Sequence, residues 1–235
     1  MLKGQPTAGE FTEGDHRITC VVNDERWRQN SYIVTRVPSG KKTVIDPGGN
    51  AERMIQCILE GNGALNRILL THAHFDHVGA ASQLSGRFGV ACELHKKDIR
   101  LLMHAPMYAL RFADKAIPAV TLFKALDEQD ESAASSEVRA IHTPGHTQGS
   151  TCYLFDGFVF TGDTILFEHI GRTDLPGGDS TMIGQSIDRL LRDLDEDTTI
   201  FAGHGRPWSV REAKVWWDKV KDIPPQFDGS DSEAV

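Results

Sequence analysis

The stretch "THAHFDHVGA", Thr71 to Ala80, is where the reading of this chain turns. It follows the apolar run "RILL", Arg67 to Leu70, and places His72, His74, Asp76 and His77 within six positions. Side chains alternate in an extended segment, so His72 and His74 point to one side. The chain must then turn, and Asp76 and His77 come round at the start of a helix. Strand ends are where α/β sheets gather functional side chains. Neutral imidazole and carboxylate suit a borderline cation such as zinc. One open zinc site takes three protein ligands, so four candidates here point to two metals.

The second half supplies the remainder. "HTPGHTQGS" offers His146 after a Pro-Gly turn, "VFTGDTI" puts Asp163 past an apolar run, and "IFAGHGRP" does the same for His204. Three ligands per metal and one bridging carboxylate account for all seven residues: His72, His74, Asp76, His77, His146, Asp163 and His204. Taken singly, each has a plain alternative. A histidine after a strand is commonly a surface or satisfied core residue, Asp163 suits a turn, and Asp76 suits a helix cap. Four strand ends carrying ligand types together favour the two-metal reading. His16, His95, His104, His142 and His169 lack that context and read as ordinary histidines.

Around these motifs the pattern alternates. "RITCVV", "SYIVTRV" and "KTVIDPG" read as strands, with the turn "PSGKK" between the last two. "AERMIQCILEGNG" reads as a helix with Met54, Ile55, Ile58 and Leu59 on one face. "NRILLTH" is a short buried strand, "HVGAASQLSGRFG" one helix, and "VACELH" a strand. Later, "SEVRAIHTPG", "STCYLFDG", "FVFTGDT" and "TTIFAGHG" read as strands. A helix from an Asp179 or Ser180 cap carries Ile183, Ile187, Leu190, Leu191 and Leu194 on one stripe. "VREAKVWWDKV" closes as a helix. Only Met103 to Phe123 breaks the alternation, and Met107, Tyr108 and Phe112 in it are expected to form a wall or lid beside the metals. Strands followed by helices, twice, predict a layered α/β fold, read as one domain over 1–235 with a polar tail from about 226.

Composition agrees with a globular chain. There are 235 residues, 40% apolar and 25% charged, with a formal charge of -8. That balance argues against nucleic acid or an anionic membrane as partner. The start has no apolar h-region, no run approaches a membrane span, and the expected location is the cytoplasm. Cys20, Cys57, Cys92 and Cys152 lack CxxC pairing and read as reduced core residues.

With "THAHFDH", "HTPGHT", "TGDT" and "AGHG" in this order, the sequence resembles the metallo-β-lactamase superfamily from about "NSYIVTRV" to the closing helix. The resemblance implies an αββα sandwich with a dinuclear site along one edge. It assigns His72, His74 and His146 to one metal, Asp76, His77 and His204 to the other, and Asp163 to both. "VIDPGG" also matches, implying that Asp46 steadies a ligand histidine; a β-turn before Pro47 is the other reading. "GRTDLPGGD", Gly171 to Asp179, resembles the short glyoxalase II type of hydrolase, and a related segment occurs in persulfide dioxygenases. Larger glyoxalase II enzymes carry a basic C-terminal helical region, and "VREAKVWWDKV" is the stretch here to set against it. Lys214 and Lys219 in the closing helix read as a solvated face.

The expected activity is hydrolysis of a small acyl thioester such as S-D-lactoylglutathione. Two divalent ions, zinc first with iron or manganese as alternatives, supply hydroxide at neutral pH. Asp76 orients the nucleophile and takes its proton. Arg172 either binds a substrate carboxylate or pairs with Asp174. The alternatives are an iron-dependent persulfide dioxygenase, using His72, His146 and Asp163, and a lactonase on the same scaffold. The expected partner is the small-molecule substrate, and the protein a monomer or homodimer.

Overall fold

The computed structural model describes residues 9–23, 26–61, 63–127 and 137–222. The polar tail expected from about 226 lies outside them. A first sheet has seven strands in sequence order. β1 (Gly9–Glu13), β2 (His16–Asn23), β3 (Gln29–Arg36) and β4 (Lys42–Ile45) are antiparallel. β5 (Leu65–Leu69), β6 (Cys92–His95) and β7 (Phe123–Leu126) then add in parallel to β4. Four helices connect these strands: α1 (Ala51–Leu59), α2 (Phe75–Val78), α3 (Ala81–Phe88) and α4 (Ile99–Ala113).

The second sheet contains β8 (Arg139–His142), β9 (Thr151–Leu154), β10 (Phe158–Gly162), β13 (Thr199–Ala202) and β14 (Trp208–Ser209). Its order is β14-β13-β10-β9-β8, with β10 and β13 parallel. A short ribbon, β11 (Ile165–Leu166) with β12 (His169–Ile170), leads to α5 (Ser180–Asp193), and α6 (Val210–Val220) closes the described chain.

Strand parity sorts the side chains into three cores. On β3, Ile33 faces the first helical layer while Tyr32 and Val34 face the second sheet. On β10, Phe158 and Phe160 enter the space between sheets, and Val159 faces α5 and α6. The middle core is aromatic, with Tyr32, Tyr153, Phe155, Phe158, Phe160 and Phe201 in contact across it. This is the four-layer αββα arrangement.

Helix ends follow from local chemistry. Asp179 caps α5, accepting from the amides of Thr181 and Met182. Ser209 and Glu212 form a capping box on α6. At the C-terminus of α1, the buried Lys42 ammonium donates to the carbonyls of Cys57 at 3.2 Å, Ile58 at 2.5 Å and Glu60 at 2.6 Å. A cation at the negative end of a helix satisfies orphan carbonyls directly.

Three expectations change. The buried face of α1 is Met54, Cys57 and Ile58, and Leu59 is 57% exposed. At ~100° per residue, Leu59 sits about 140° round from Met54 and Cys57 about 60°. The single helix expected from His77 to Gly89 is two, parted at Gly79 and Ala80. The Ala80 amide donates to Pro47 O at 2.8 Å, and a Cβ on Gly79 would stand 2.2 Å from Gly48 O. The loop after β4 therefore presses into the gap. Finally, Met103 to Phe123 does not break the alternation. It contains most of α4, the crossover between parallel β6 and β7, with Pro106 inside the helix. Leu102, Ala105 and Ala109 face the core, and Tyr108 packs against it beside Phe112, while Met103, Met107 and Leu110 stay exposed. The two prolines hid the period. Among the described residues, no helix is long and apolar enough to cross a membrane.

Candidate metal centre

All seven candidate ligands sit past strand ends at one edge of the two sheets, and all are buried. His72 and His74 leave β5 in an extended segment, and Asp76 and His77 lie on α2. His146 comes from the β8–β9 turn, Asp163 follows β10, and His204 follows β13.

They form two facing groups. His146 Nε2 lies 2.9 Å from His74 Nδ1 and 3.3 Å from His72 Nε2. His77 Nε2 lies 3.3 Å from His204 Nε2, and Asp76 Oδ2 is 3.6 Å and 3.4 Å from these two nitrogens. Asp163 stands between the groups. Its Oδ1 is 3.5 Å from His77 Nε2, and its Oδ2 is 3.5 Å from His204 Nε2 and 3.7 Å from His146 Nε2. The ring centroids of His72 and His77 are 4.0 Å apart, so the groups are side by side.

The outer nitrogens have fixed partners. His146 Nδ1 donates to Arg172 O at 2.8 Å and His204 Nδ1 to Trp27 O at 2.9 Å. A carbonyl only accepts, so each Nδ1 carries the proton and each Nε2 presents a lone pair inward. Asp46 does the same for His77, with Oδ2 2.9 Å from Nδ1. The same Oδ2 accepts from Thr71 Oγ1 at 2.6 Å, and that hydroxyl lies 3.0 Å from His72 Nδ1. One carboxylate thus orients a histidine of each group. This matches the steadying role expected of Asp46. Its place in a third possible donor set with His72 and His77 is excluded by these bonds.

A cation fits this arrangement. Imidazole nitrogens and carboxylate oxygens converge, and Asp76 Oδ1, Asp76 Oδ2 and Asp163 Oδ1 are buried with no hydrogen-bond partner. Buried polar atoms are ordinarily satisfied. His72, His74 and His146 form one set with donor atoms within 4.8 Å of one another, and Asp76, His77 and His204 form another. Asp76 caps no helix: α2 has His74 at its cap position and no side-chain cap bond.

The charge balance differs between the sets. Burial and neighbouring histidines hold His72 and His74 well below the usual imidazole range. Burial also pushes His77 and His204 down, but the Asp163 and Asp76 carboxylates outweigh it and raise both. Burial would raise Asp163; the surrounding histidines, His204 foremost, instead hold it well below the usual carboxylate range.

Close approach explains the glycine-rich motifs. A Cβ at Gly171 would lie 1.9 Å from Asp163 O and 2.9 Å from His146 Nδ1, and one at Gly203 would lie 2.2 Å from Asp163 Oδ1. "GRTDLPGGD" therefore packs directly behind the ligands.

Residues 24–204 match the family model described as "Metallo-beta-lactamase superfamily". The chain belongs to the metallo-beta-lactamase superfamily. It is 39% identical over 176 residues to hydroxyacylglutathione hydrolase GloC of Haemophilus influenzae, covering 73% of this chain and 83% of that protein. Among solved structures, the BLEG-1 B3 metallo-beta-lactamase superposes with a TM-score of 0.77 at 29% identity, covering 84% of this chain and 96% of that one. TTHA1623 in a di-iron-bound form gives a TM-score of 0.75 at 32% identity, covering 83% and 96%.

Several supporting residues of this superfamily member escaped the sequence reading. Thr71 has a signal, a hydroxyl between an apolar strand and the first ligand. Asn30 is a buried amide on β3; it donates to Ala202 O at 3.1 Å and Gly205 O at 2.9 Å, on either side of His204. Asp98, discussed below, has no local signal. Arg172 makes a bidentate pair with Asp174 at 2.8 Å and 2.7 Å, one of the two roles the sequence left open. None of His16, His95, His104, His142 and His169 joins a candidate donor set among the described residues. His95 and His142 instead stack at 4.1 Å. All four cysteines are buried and unbridged.

Proposed function

We propose that this protein is a dinuclear metal-dependent hydrolase of small acyl thioesters, S-D-lactoylglutathione being the first substrate to try. The observation that carries the reading is the pair of three-donor sets with Asp163 between them. The relative named as a hydroxyacylglutathione hydrolase supports the substrate class. Zinc is the proposed metal, with iron or manganese as alternatives; a structural neighbour holds two irons.

In this reading His72, His74 and His146 would hold one ion and Asp76, His77 and His204 the other, with Asp163 available to both. The chemistry that two such ions would supply is Lewis-acid polarisation of a carbonyl and hydroxide at neutral pH. Asp76, whose oxygens are buried without a hydrogen-bond partner, would orient the attacking water and accept its proton. Asp46, Thr71, Arg172 O and Trp27 O keep the imidazole lone pairs aimed inward. Among the described residues, no side chain is placed for covalent catalysis. The Cys152 thiol is buried, and burial pushes its pKa up to about 11, so it is no nucleophile at neutral pH. A thioester suits the site because its thiolate leaves without a strong general acid.

The test follows thiol release from S-D-lactoylglutathione and other acyl thioesters under anaerobic conditions, with a lactone and a β-lactam in parallel. Turnover without O₂ is expected. Fast lactone opening without thioester cleavage moves the assignment to a lactonase. Oxygen uptake with glutathione persulfide, and no hydrolysis, moves it to a dioxygenase.

The charge balance predicts an order of metal loss. Raised pKa values mean that His77 and His204 regain protons at higher pH than His72 and His74, whose values are lowered. Protons compete with metal, so acidification should expel the ion held by Asp76, His77 and His204 first. Metal content at stepped pH should fall from two to one before reaching zero. Simultaneous loss of both ions rejects the order.

A further inference from the structure

Each proposed metal set draws ligands from segments far apart in sequence, so something must hold the segments in register. Among the buried polar groups outside the ligand set, Asp98 is placed for this. It ends a 3₁₀ turn, Lys96–Asp98, that leads into α4, and it is 2% exposed. Its Oδ2 accepts from the Ala73 amide at 3.1 Å and from Thr147 Oγ1 at 2.8 Å. Its Oδ1 accepts from the Gly149 amide at 2.7 Å. Ala73 lies between His72 and His74, and Thr147 follows His146. One carboxylate therefore bonds to both segments of the first set, at the amide between His72 and His74 and at the turn after His146, while Asp76 and His77 of the second set lie further along the first of these segments, on α2.

The turn around His146 reinforces the bond. The Thr147 amide donates to Ser150 Oγ at 3.0 Å, and the two hydroxyls lie 2.8 Å apart. Because Thr147 Oγ1 gives its proton to Asp98, Ser150 gives its proton to Thr147. The chain of donors ends on the carboxylate. A Cβ at Gly149 would come within 2.7 Å of Asp98 Cγ, so this glycine lets the backbone reach the carboxylate.

The second set has a counterpart. The Asn30 amide donates to Gly203 O at 2.7 Å, and its side chain holds Ala202 O and Gly205 O. These bonds bracket His204 and touch none of His72, His74 and His146.

We propose that Asp98 and Asn30 are positioning residues, each controlling metal affinity in one set: Asp98 for His72, His74 and His146, Asn30 for Asp76, His77 and His204. The inference rests on the dinuclear reading. Its physical basis is preorganisation, because a ligand segment that is already held loses little freedom on binding. Outer partners of metal ligands commonly shift affinity about 10–100-fold.

The test compares Asp98→Asn with Asn30→Ala in the purified protein. Asp98→Asn keeps the volume but sets an NH₂ group against donors that need an acceptor. Cobalt(II) titration, read by the absorption of each bound ion, should show one ion weakened about 10–100-fold in Asp98→Asn and the other unchanged. Asn30→Ala should show the reverse. Amide hydrogen exchange gives a second reading that does not depend on metal. Exchange at Ala73 and Gly149 should rise in Asp98→Asn and stay at the wild-type level in Asn30→Ala. Both variants weakening the same ion, or both ions equally, overturns the proposal, as does unchanged exchange at Gly149 in Asp98→Asn. Wild-type protein that binds fewer than two ions defeats the dinuclear reading, and the exchange pattern then still decides whether Asp98 holds the two segments.

Discussion

Asp163→Ala is expected to strip metal from both sets and to lower kcat/KM for a thioester by at least about 1000-fold, or ~4 kcal/mol of transition-state stabilisation. Of the two carboxylates among the seven, Asp163 is the one with oxygens within 3.7 Å of imidazole nitrogens of both groups, His77 and His204 on one side and His146 on the other. It also carries much of the negative charge that offsets burial at His77 and His204. Without it, both sets lose a donor and the site loses its main counter-charge. Elemental analysis beside a thiol-release assay checks both parts. Two ions retained with full activity would mean that Asp163 bridges nothing. Loss of activity with both ions retained would instead make it a group acting on substrate.

Phe160→Ala should be the most damaging change away from the metals, costing about 3–5 kcal/mol of stability. Phe160 is buried between the sheets, with ring centroids 4.9 Å from Tyr32, 5.5 Å from Phe201 and 5.7 Å from Phe155. Those partners come from both sheets, so the cavity cannot close by moving one strand. Domains are commonly stable by ~5–15 kcal/mol, and the loss is a large fraction of that. Leu59→Ala, on the exposed side of α1, should change stability by less than about 0.5 kcal/mol. Urea denaturation followed by tryptophan fluorescence measures both. Equal midpoints for the two variants would show that the middle core contributes little.

What the sequence revealed follows the reach of each interaction. The period-two run into His72 and His74, the stripe on α5 and the Asp179 cap are local patterns, and the structure reproduces them. The α1 face was misjudged because apolar character was weighed without angle, and Cys57 was passed over in favour of Leu59. The α4 crossover was hidden by Pro106, which the packed helix tolerates, and by Pro118 in the loop after it. The strand ends that carry the seven candidate ligands were legible because each follows an apolar run. Their supports were less so. Asn30 reads as a polar residue in front of a strand, and nothing near Asp98 reveals that its carboxylate serves a turn 51 residues downstream. Such bonds exist only once the sheets have met.

The support for His146 comes from the main chain of residue 172, whereas the guanidinium of that residue is engaged with Asp174. The two duties are therefore chemically separate. Any residue with a carbonyl can anchor the imidazole, so position 172 is open to new side chains without loosening the histidine behind it. Gly171 next door has no such latitude, since its missing Cβ is what lets the backbone come that close. Side-chain identity in this loop can thus drift one residue away from a position that cannot, and a library randomised at 172 should recover far more metal-replete variants than one randomised at 171.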